Sequence, residues 1–154
     1  KVSALGTKPK GAKGAWVYVD GFTVDGTTVE ENASGVVDGF ARVATSKASG
    51  SAYQVIDFRK GSGRVAPTLT LTFKGTGISW LGTKGKAFSK ASVYIDNVKK
   101  KTVDLYYKKT AYKKTLWTSP KLSSGTHTIK VVILGSKRKS AKGYNVSFDT
   151  FRIA

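Results

Sequence analysis

The sequence predicts an all-β protein, an antiparallel β-sandwich, and three observations carry that prediction. Residues 67–73, PTLTLTF, alternate strictly, with Leu69, Leu71 and Phe73 on one face; this is the period-2 pattern of a half-buried strand. Further short runs rich in Val, Ile, Thr, Tyr and Phe recur along the chain, separated by Gly, Ser, Asn and Pro. No stretch keeps a helical period. Many short strands at such spacing indicate a sandwich or a barrel.

The elements follow in order. GFARV at 39–43 and AYQVIDF at 52–58 precede the alternating run. GTGISWLG at 75–82 comes next, with Trp80 between Ile78 and Leu81 and expected inside. ASVYIDN at 91–97 and TVDLYY at 102–107 follow, and Tyr107 is expected to extend the inward face of Val103 and Leu105. In KTLWTS at 114–119, Leu116 competes with Trp117 for the inward position, so the orientation of Trp117 stays open. THTIKVVIL at 126–134 and YNVSFDTFRI at 144–153 close the chain. Frequent Gly, Thr, Val and Ser, with 17 glycines, suit short strands joined by many turns.

A length of 154 residues is one ordinary domain, able to bury a real core. At 40% hydrophobic residues it is not a disordered basic tail. Lys and Arg number 27 against 9 Asp and Glu, for a net charge of +18. So large an excess points to an anionic partner: nucleic acid, an anionic surface, a cell-wall polymer, or uronate- or sulfate-bearing polysaccharide. There is no cysteine, which excludes a disulfide framework, a thiolate zinc site and a cysteine nucleophile. No window is apolar enough to span a membrane, so membrane insertion is not expected. No signal-peptide pattern opens the chain, so a secretion signal would lie outside this segment.

The two ends of the chain resemble each other. Residues 1–24, KVSALGTKPKGAKGAWVYVDGFTV, align without a gap on residues 130–153, KVVILGSKRKSAKGYNVSFDTFRI, at a constant offset of 129, with about half the positions identical. Gly6/Gly135, Lys8/Lys137, Lys10/Lys139, Lys13/Lys142, Gly14/Gly143, Asp20/Asp149 and Phe22/Phe151 are retained, whereas Ala15/Tyr144 and Trp16/Asn145 differ. A repeat at fixed offset indicates an array of modules. Residues 1–24 then read as the closing strands of a preceding repeat, or as an extra N-terminal strand. Residues 25–154 read as one complete module, with neighbouring copies as partners.

Four short segments, in this order, carry a resemblance to a family. They are Phe73-x-Gly75-Thr76-Gly77, Tyr94-Ile95-Asp96, Gly125-Thr126-His127-Thr128-Ile129 and the closing Phe148-Asp149-x-Phe151. Over about residues 29–153 the chain resembles the galactose-binding-like jelly rolls that are appended, often in tandem, to bacterial secreted glycosidases, lyases and surface proteins. The resemblance implies a jelly-roll sandwich, a secreted or cell-surface location, and a carbohydrate-binding or adhesion role. It names no ligand.

If consecutive strands run antiparallel, their loops alternate between the two ends of the sandwich. Loops 59–66, 83–90, 108–113 and 135–143 then share one end. With their immediate flanks they hold Arg59, Lys60, Arg64, Lys84, Lys86, Lys90, Lys108, Lys109, Lys113, Lys114, Lys137, Arg138, Lys139 and Lys142, fourteen of the 27 basic residues and no acid. The opposite end has Lys74, Lys121, Asp96 and a 96–101 turn carrying Lys99, Lys100 and Lys101. Sandwich loops are where binding residues gather. Tyr106, Tyr107 and Tyr112 are interleaved with the lysines of one of these loops, and Tyr112, in mid-loop, is expected exposed. A tyrosine can stack on a sugar or a base while neighbouring lysines meet carboxylate, sulfate or phosphate. The expected ligand contacts are Arg59, Lys60, Arg64, Lys84, Lys86, Lys108, Lys109, Tyr112, Lys113, Lys137, Arg138, Lys139 and Lys142.

Catalytic chemistry is not expected. His127 is the sole histidine and reads as a strand residue with a structural hydrogen bond; no base or nucleophile pattern accompanies it. The nine acids are scattered rather than paired as glycoside hydrolysis needs. No cofactor is implied, although Glu30-Glu31-Asn32 groups three oxygen donors that a structural calcium ion could use. Gly61 and Gly63 mark a turn with no helix behind it, not a phosphate cradle. The expectation is a non-catalytic module that binds an acidic polysaccharide or anionic cell-wall polymer. Nucleic-acid binding and a structural role in a surface fibre or adhesin are the alternatives.

Overall fold

A computed structural model describes residues 19–24, 27–31, 40–63 and 65–154, the first two stretches and Phe40 as backbone only. Residues 1–18, Asn32 and Arg64, and the expectations placed on them, lie outside the described residues. The described strands are β1 (Val19–Val24), β2 (Thr27–Glu31), β3 (Phe40–Ala44), β4 (Ala52–Asp57), β5 (Thr68–Gly75), β6 (Ile78–Lys84), β7 (Lys90–Ile95), β8 (Val98–Asp104), β9 (Ala111–Thr118), β10 (Gly125–Ile133), β11 (Asn145–Phe148) and β12 (Thr150–Ile153). They form three sheets, ordered β2-β1-β12-β6-β9, β5-β10-β7-β8 and β11-β4-β3. The result is the all-β, sandwich-like arrangement of antiparallel sheets that the periodicity predicts. One strand pair departs from the antiparallel rule: β1 runs parallel to β12.

One core joins the three sheets. β10 lies between β5 and β7, so its inward residues Ile129, Val131 and Ile133 are fully buried, while the alternating Thr128, Lys130 and Val132 are only half-buried. Val93 and Ile95 of β7, Ile56 of β4, Ile78 and Trp80 of β6 and Phe151 of β12 complete the centre. Trp80 is 0% exposed, as expected. Its ring stacks on Phe148 at 5.1 Å between centroids, and its Nε1 donates to the Ser147 carbonyl at 3.2 Å. The contest between Leu116 and Trp117 has no winner. Trp80 pairs with Trp117 and Leu81 with Thr115, so Leu116 is the extra residue of a bulge, and both side chains are half-buried against the core.

Three expectations are corrected by local geometry. The expected strand 144–153 breaks at Asp149 and changes sheets there: β11 pairs with β4, and β12 pairs with β6. Asp149 anchors the corner, its N–H donating to the Leu81 carbonyl and its Oδ1 accepting from the Ser49 N–H. Lys99, Lys100 and Lys101 belong to β8 rather than to a turn. Asp96 and Asn97, with φ of 50° and 64°, complete a tight hairpin by themselves. The exposed β8 then edges its sheet, and its lysines oppose pairing with another chain. Tyr107 is not core but 53% exposed. The chain leaves β8 at Asp104, whose Oδ1 accepts from the Tyr106 N–H at 2.9 Å, and the inward alternation ends at Leu105.

Candidate binding face at the loop end of the sandwich

Backbone hydrogen bonds tie the four basic loops to one another. Lys60 N–H donates to the Gly135 carbonyl at 3.0 Å, joining the loop after β4 to the loop after β10. Lys142 N–H donates to Lys86 O at 2.7 Å, and Asn145 N–H to Ala87 O at 3.0 Å, so the loop after β10 also clasps the loop after β6. Gly85 N–H donates to Leu105 O, and Tyr107 N–H to Gly85 O, each at 3.2 Å, which adds the loop after β8. These bonds hold together segments that are up to about eighty residues apart in the chain. Backbone groups so paired do not need water, and the loops form a fixed surface rather than separate tethers.

Glycine permits the closest approaches. Gly135 has φ +59°, and a Cβ there would lie 2.3 Å from the Lys60 nitrogen and 2.8 Å from the Phe58 ring. A Cβ on Gly143 would lie 2.7 Å from the Ala87 carbonyl oxygen. Both glycines recur in the N-terminal copy, as Gly6 and Gly14. Gly135→Ala is therefore expected to destabilise the fold by about 3 kcal/mol, from the left-handed backbone and the enforced parting of two loops. Chemical denaturation would read this, and a midpoint equal to that of the parent would refute the contact.

The expected contact residues distribute as follows. Arg59 and Lys60 are exposed at the start of the loop after β4. Lys86 is exposed in the loop after β6, whereas Lys84 ends β6 half-buried. Lys108 and Lys109 are exposed after β8. Lys139 and Lys142 are exposed in the loop after β10, with Arg138, while Lys137 is half-buried. Lys137 turns back onto its own loop, its Nζ donating to the Ala141 carbonyl. Lys113 and Lys114 are exposed but stand on β9, an edge strand, not in a loop. Lys113 occupies a bulge with φ 51°.

Tyr112 also belongs to β9 and is half-buried, not exposed in mid-loop. Its ring meets Tyr53 edge-on at 6.2 Å, and Lys47 Nζ lies 5.8 Å from its centroid. Burial, and secondarily Tyr112 itself, raises the Tyr53 hydroxyl above its ordinary value.

One ring, Tyr144, and two acids, Asp104 and Asp57, were not foreseen at this end. Tyr144 lies under Arg59 at 5.8 Å and Lys137 at 5.3 Å. Tyr106 lies under Arg138 at 4.9 Å, and Arg138 Nε bonds Asp104 Oδ2 at 3.0 Å. The surface is therefore not free of acids: Asp104 offsets Arg138, and the exposed Asp57 ends β4 opposite Asn145. Among the described residues no other cation of this end lies within 4.0 Å of a carboxylate. Lys137 shares the loop that ends at Tyr144, but Arg59 comes from the distant loop after β4, and no local pattern marked that contact.

The opposite end carries a different device. His127 Nδ1 bonds Asp96 Oδ2 at 2.7 Å and its Nε2 bonds the Ser123 carbonyl at 2.9 Å. Both ring nitrogens donate only in the imidazolium form. The hydrogen bond to Asp96, then that to Ser123, raises His127 above its ordinary 6.5. The same bond to His127, then the Thr128 N–H, lowers Asp96 below 3.8. The histidine's contribution to stability is fully present below pH 6.5 and fades as pH rises through its raised value. That of Asp96 is present above pH 3.8 and fades as pH falls through its lowered value. NMR titration is expected to place His127 above its ordinary value and Asp96→Asn to lower it, with the Ser123 bond still in place; equal midpoints in the two proteins would refute the pairing.

Among the described residues no three His, Cys, Asp or Glu side chains gather as a metal cluster, and no helix is long and apolar enough to cross a membrane. Glu30 and Glu31 end β2. No protein-family model matches the sequence, and no curated protein matches it. Among solved structures, a Paenibacillus xanthan lyase is similar, with a TM-score of 0.58 and 14% sequence identity over 94% of this chain. The chain spans only 14% of the length of that lyase. At this identity the likeness is one of fold: the sandwich described above recurs within a much longer protein.

Proposed function

We propose that this chain is a non-catalytic module, secreted or displayed at the cell surface, that holds an acidic polysaccharide against its lysine-rich loop end. The observation that carries the reading is the tying of four loops into one surface on which most cations meet no carboxylate. Such a surface focuses positive potential where a polyanion can lie. Each lysine contributes on the order of 1 kcal/mol or less, so affinity comes from many contacts along the polymer. Tyr106, Tyr107 and Tyr144 add ring surface among the cations, suited to sugar faces. The similar fold within a protein named for cleaving a polysaccharide is consistent with a carbohydrate partner.

Isothermal titration with a polyuronate and with a neutral glucan of equal length tests the reading. The acidic polymer is expected to bind at least about tenfold more tightly at low salt, and to lose that preference as salt screens it. Equal binding of the two polymers would refute the proposal. Preference for duplex DNA over a glycan of matched charge density would replace it with nucleic-acid binding.

A further inference from the structure

β1 and β12 are copies of one strand lying side by side. Residues 1–24 match 130–153 at an offset of 129. The parallel pairing sets Phe22 opposite Phe151 and Thr23 opposite Arg152, which is the same offset. The two strands are thus related by a shift of one strand spacing, and their edges are equivalent. β12 gives one edge to β6 and the other to β1. β1 gives the edge equivalent to the β6 side to β12, and its remaining edge to β2. So β2 sits on β1 where, on β12, β1 itself sits.

We infer that the outer edge of β12 is an exchange site between successive copies of this module. When a copy precedes this one, Val19–Val24 closes that copy by pairing with its β6, and Thr27–Glu31 moves one strand over to pair with β12 directly. The register follows from the existing one. β2 places Val29 opposite Phe22 and Thr28 opposite Thr23; the offset carries these to Val29 opposite Phe151 and Thr28 opposite Arg152. A strand has two edges, and in an array β1 has three claimants: the preceding copy's β6, the preceding copy's β2, and β12. The first two form antiparallel pairs within one module and fill both edges. The third would leave one of them unpaired. β12 then needs another partner for its N–H and C=O groups, and β2 has the required direction. Only Asp25 and Gly26 separate β1 from β2, so successive modules abut closely.

The test splices residues 25–129 ahead of residue 1. The N-terminal copy then supplies the closing segment of a complete leading module, and the whole chain follows unchanged. Cysteine pairs read the register in the single and the spliced chain. With β1 between them, Thr28 and Arg152 are two strand spacings apart, about 10 Å between Cα atoms, beyond disulfide reach. Directly paired, they come to about 5 Å. Thr23→Cys with Arg152→Cys is expected to cross-link the single chain, and Thr28→Cys with Arg152→Cys to leave it open. In the spliced chain the preference reverses, with most of the Thr28 pair oxidised and only traces of the Thr23 pair. Persistence of the Thr23 cross-link in the spliced chain, or failure of the Thr28 cross-link there, overturns the inference. A main-chain nuclear Overhauser contact between residues 27–29 and 151–153 in the cysteine-free spliced chain reads the same register without substitution, and its absence overturns it equally.

Discussion

Trp80→Ala is expected to lower the stability by about 4 kcal/mol, the cost of emptying a tryptophan-sized site in a packed core. For a domain of this size that is a fall in Tm of about 12 °C. The effect is large because three losses coincide. Trp80 is fully buried, its ring covers Phe148 at 5.1 Å, and its Nε1 is the donor to the Ser147 carbonyl. Trp80→Phe keeps much of the stacking but leaves that carbonyl without its donor, at a cost of about 1–3 kcal/mol. Thermal denaturation of the two variants should therefore order them parent, Trp80→Phe, Trp80→Ala. An alanine variant that melts within about 2 °C of the parent would show that this tryptophan does not join the sheets.

Reversing four exposed lysines of the loop end, Lys60, Lys86, Lys139 and Lys142, to glutamate is expected to weaken acidic-polymer binding about a hundredfold at low salt. The estimate assigns about 0.7 kcal/mol to each site. The matching control reverses four exposed lysines elsewhere: Lys74, Lys99, Lys100 and Lys121. Both variants carry the same net charge, so any difference between them reports position rather than total charge. The control is expected to keep affinity within about threefold, since its cations lie away from the tied loops and are screened over roughly a Debye length. Both should melt close to the parent, because surface substitutions usually change stability by about 0.5 kcal/mol or less. Equal weakening by the two sets would assign the binding to bulk charge and remove the loop end as the site.

Strands such as β5 and β10 were legible because they write a period-2 pattern into a short window. Leu69, Leu71 and Phe73 in β5 and Ile129, Val131 and Ile133 in β10 can be read without knowing what they pack against. The misreadings fall where alternation is interrupted by something a window does not hold. Tyr107 follows Leu105 at the right spacing, yet the Asp104 carboxylate takes the Tyr106 N–H and the strand has already ended. Leu116 and Trp117 compete for one position until a bulge accommodates both. Lys99, Lys100 and Lys101 look like a turn because two positive-φ residues before them suffice to make one.

The basic loop end shows the same division. Its cations, its glycines and its alternation of loops between two ends follow from the sequence alone, since charge and strand order are properties of the chain. That Lys60 bonds Gly135, that Lys142 bonds Lys86, and that Tyr144 receives Arg59 and Lys137 were decided only in the tertiary structure. So was the placement of Asp104 against Arg138, which removes one cation from the count. The physical reason is range. Periodicity and charge are set by neighbours in the chain, whereas hydrogen bonds and ring contacts act within a few ångströms between segments that only the fold brings together. The repeat lies on the boundary. Its offset is written in the sequence, but that the two copies lie side by side in that same offset, edge against edge, is a fact of the folded sheet.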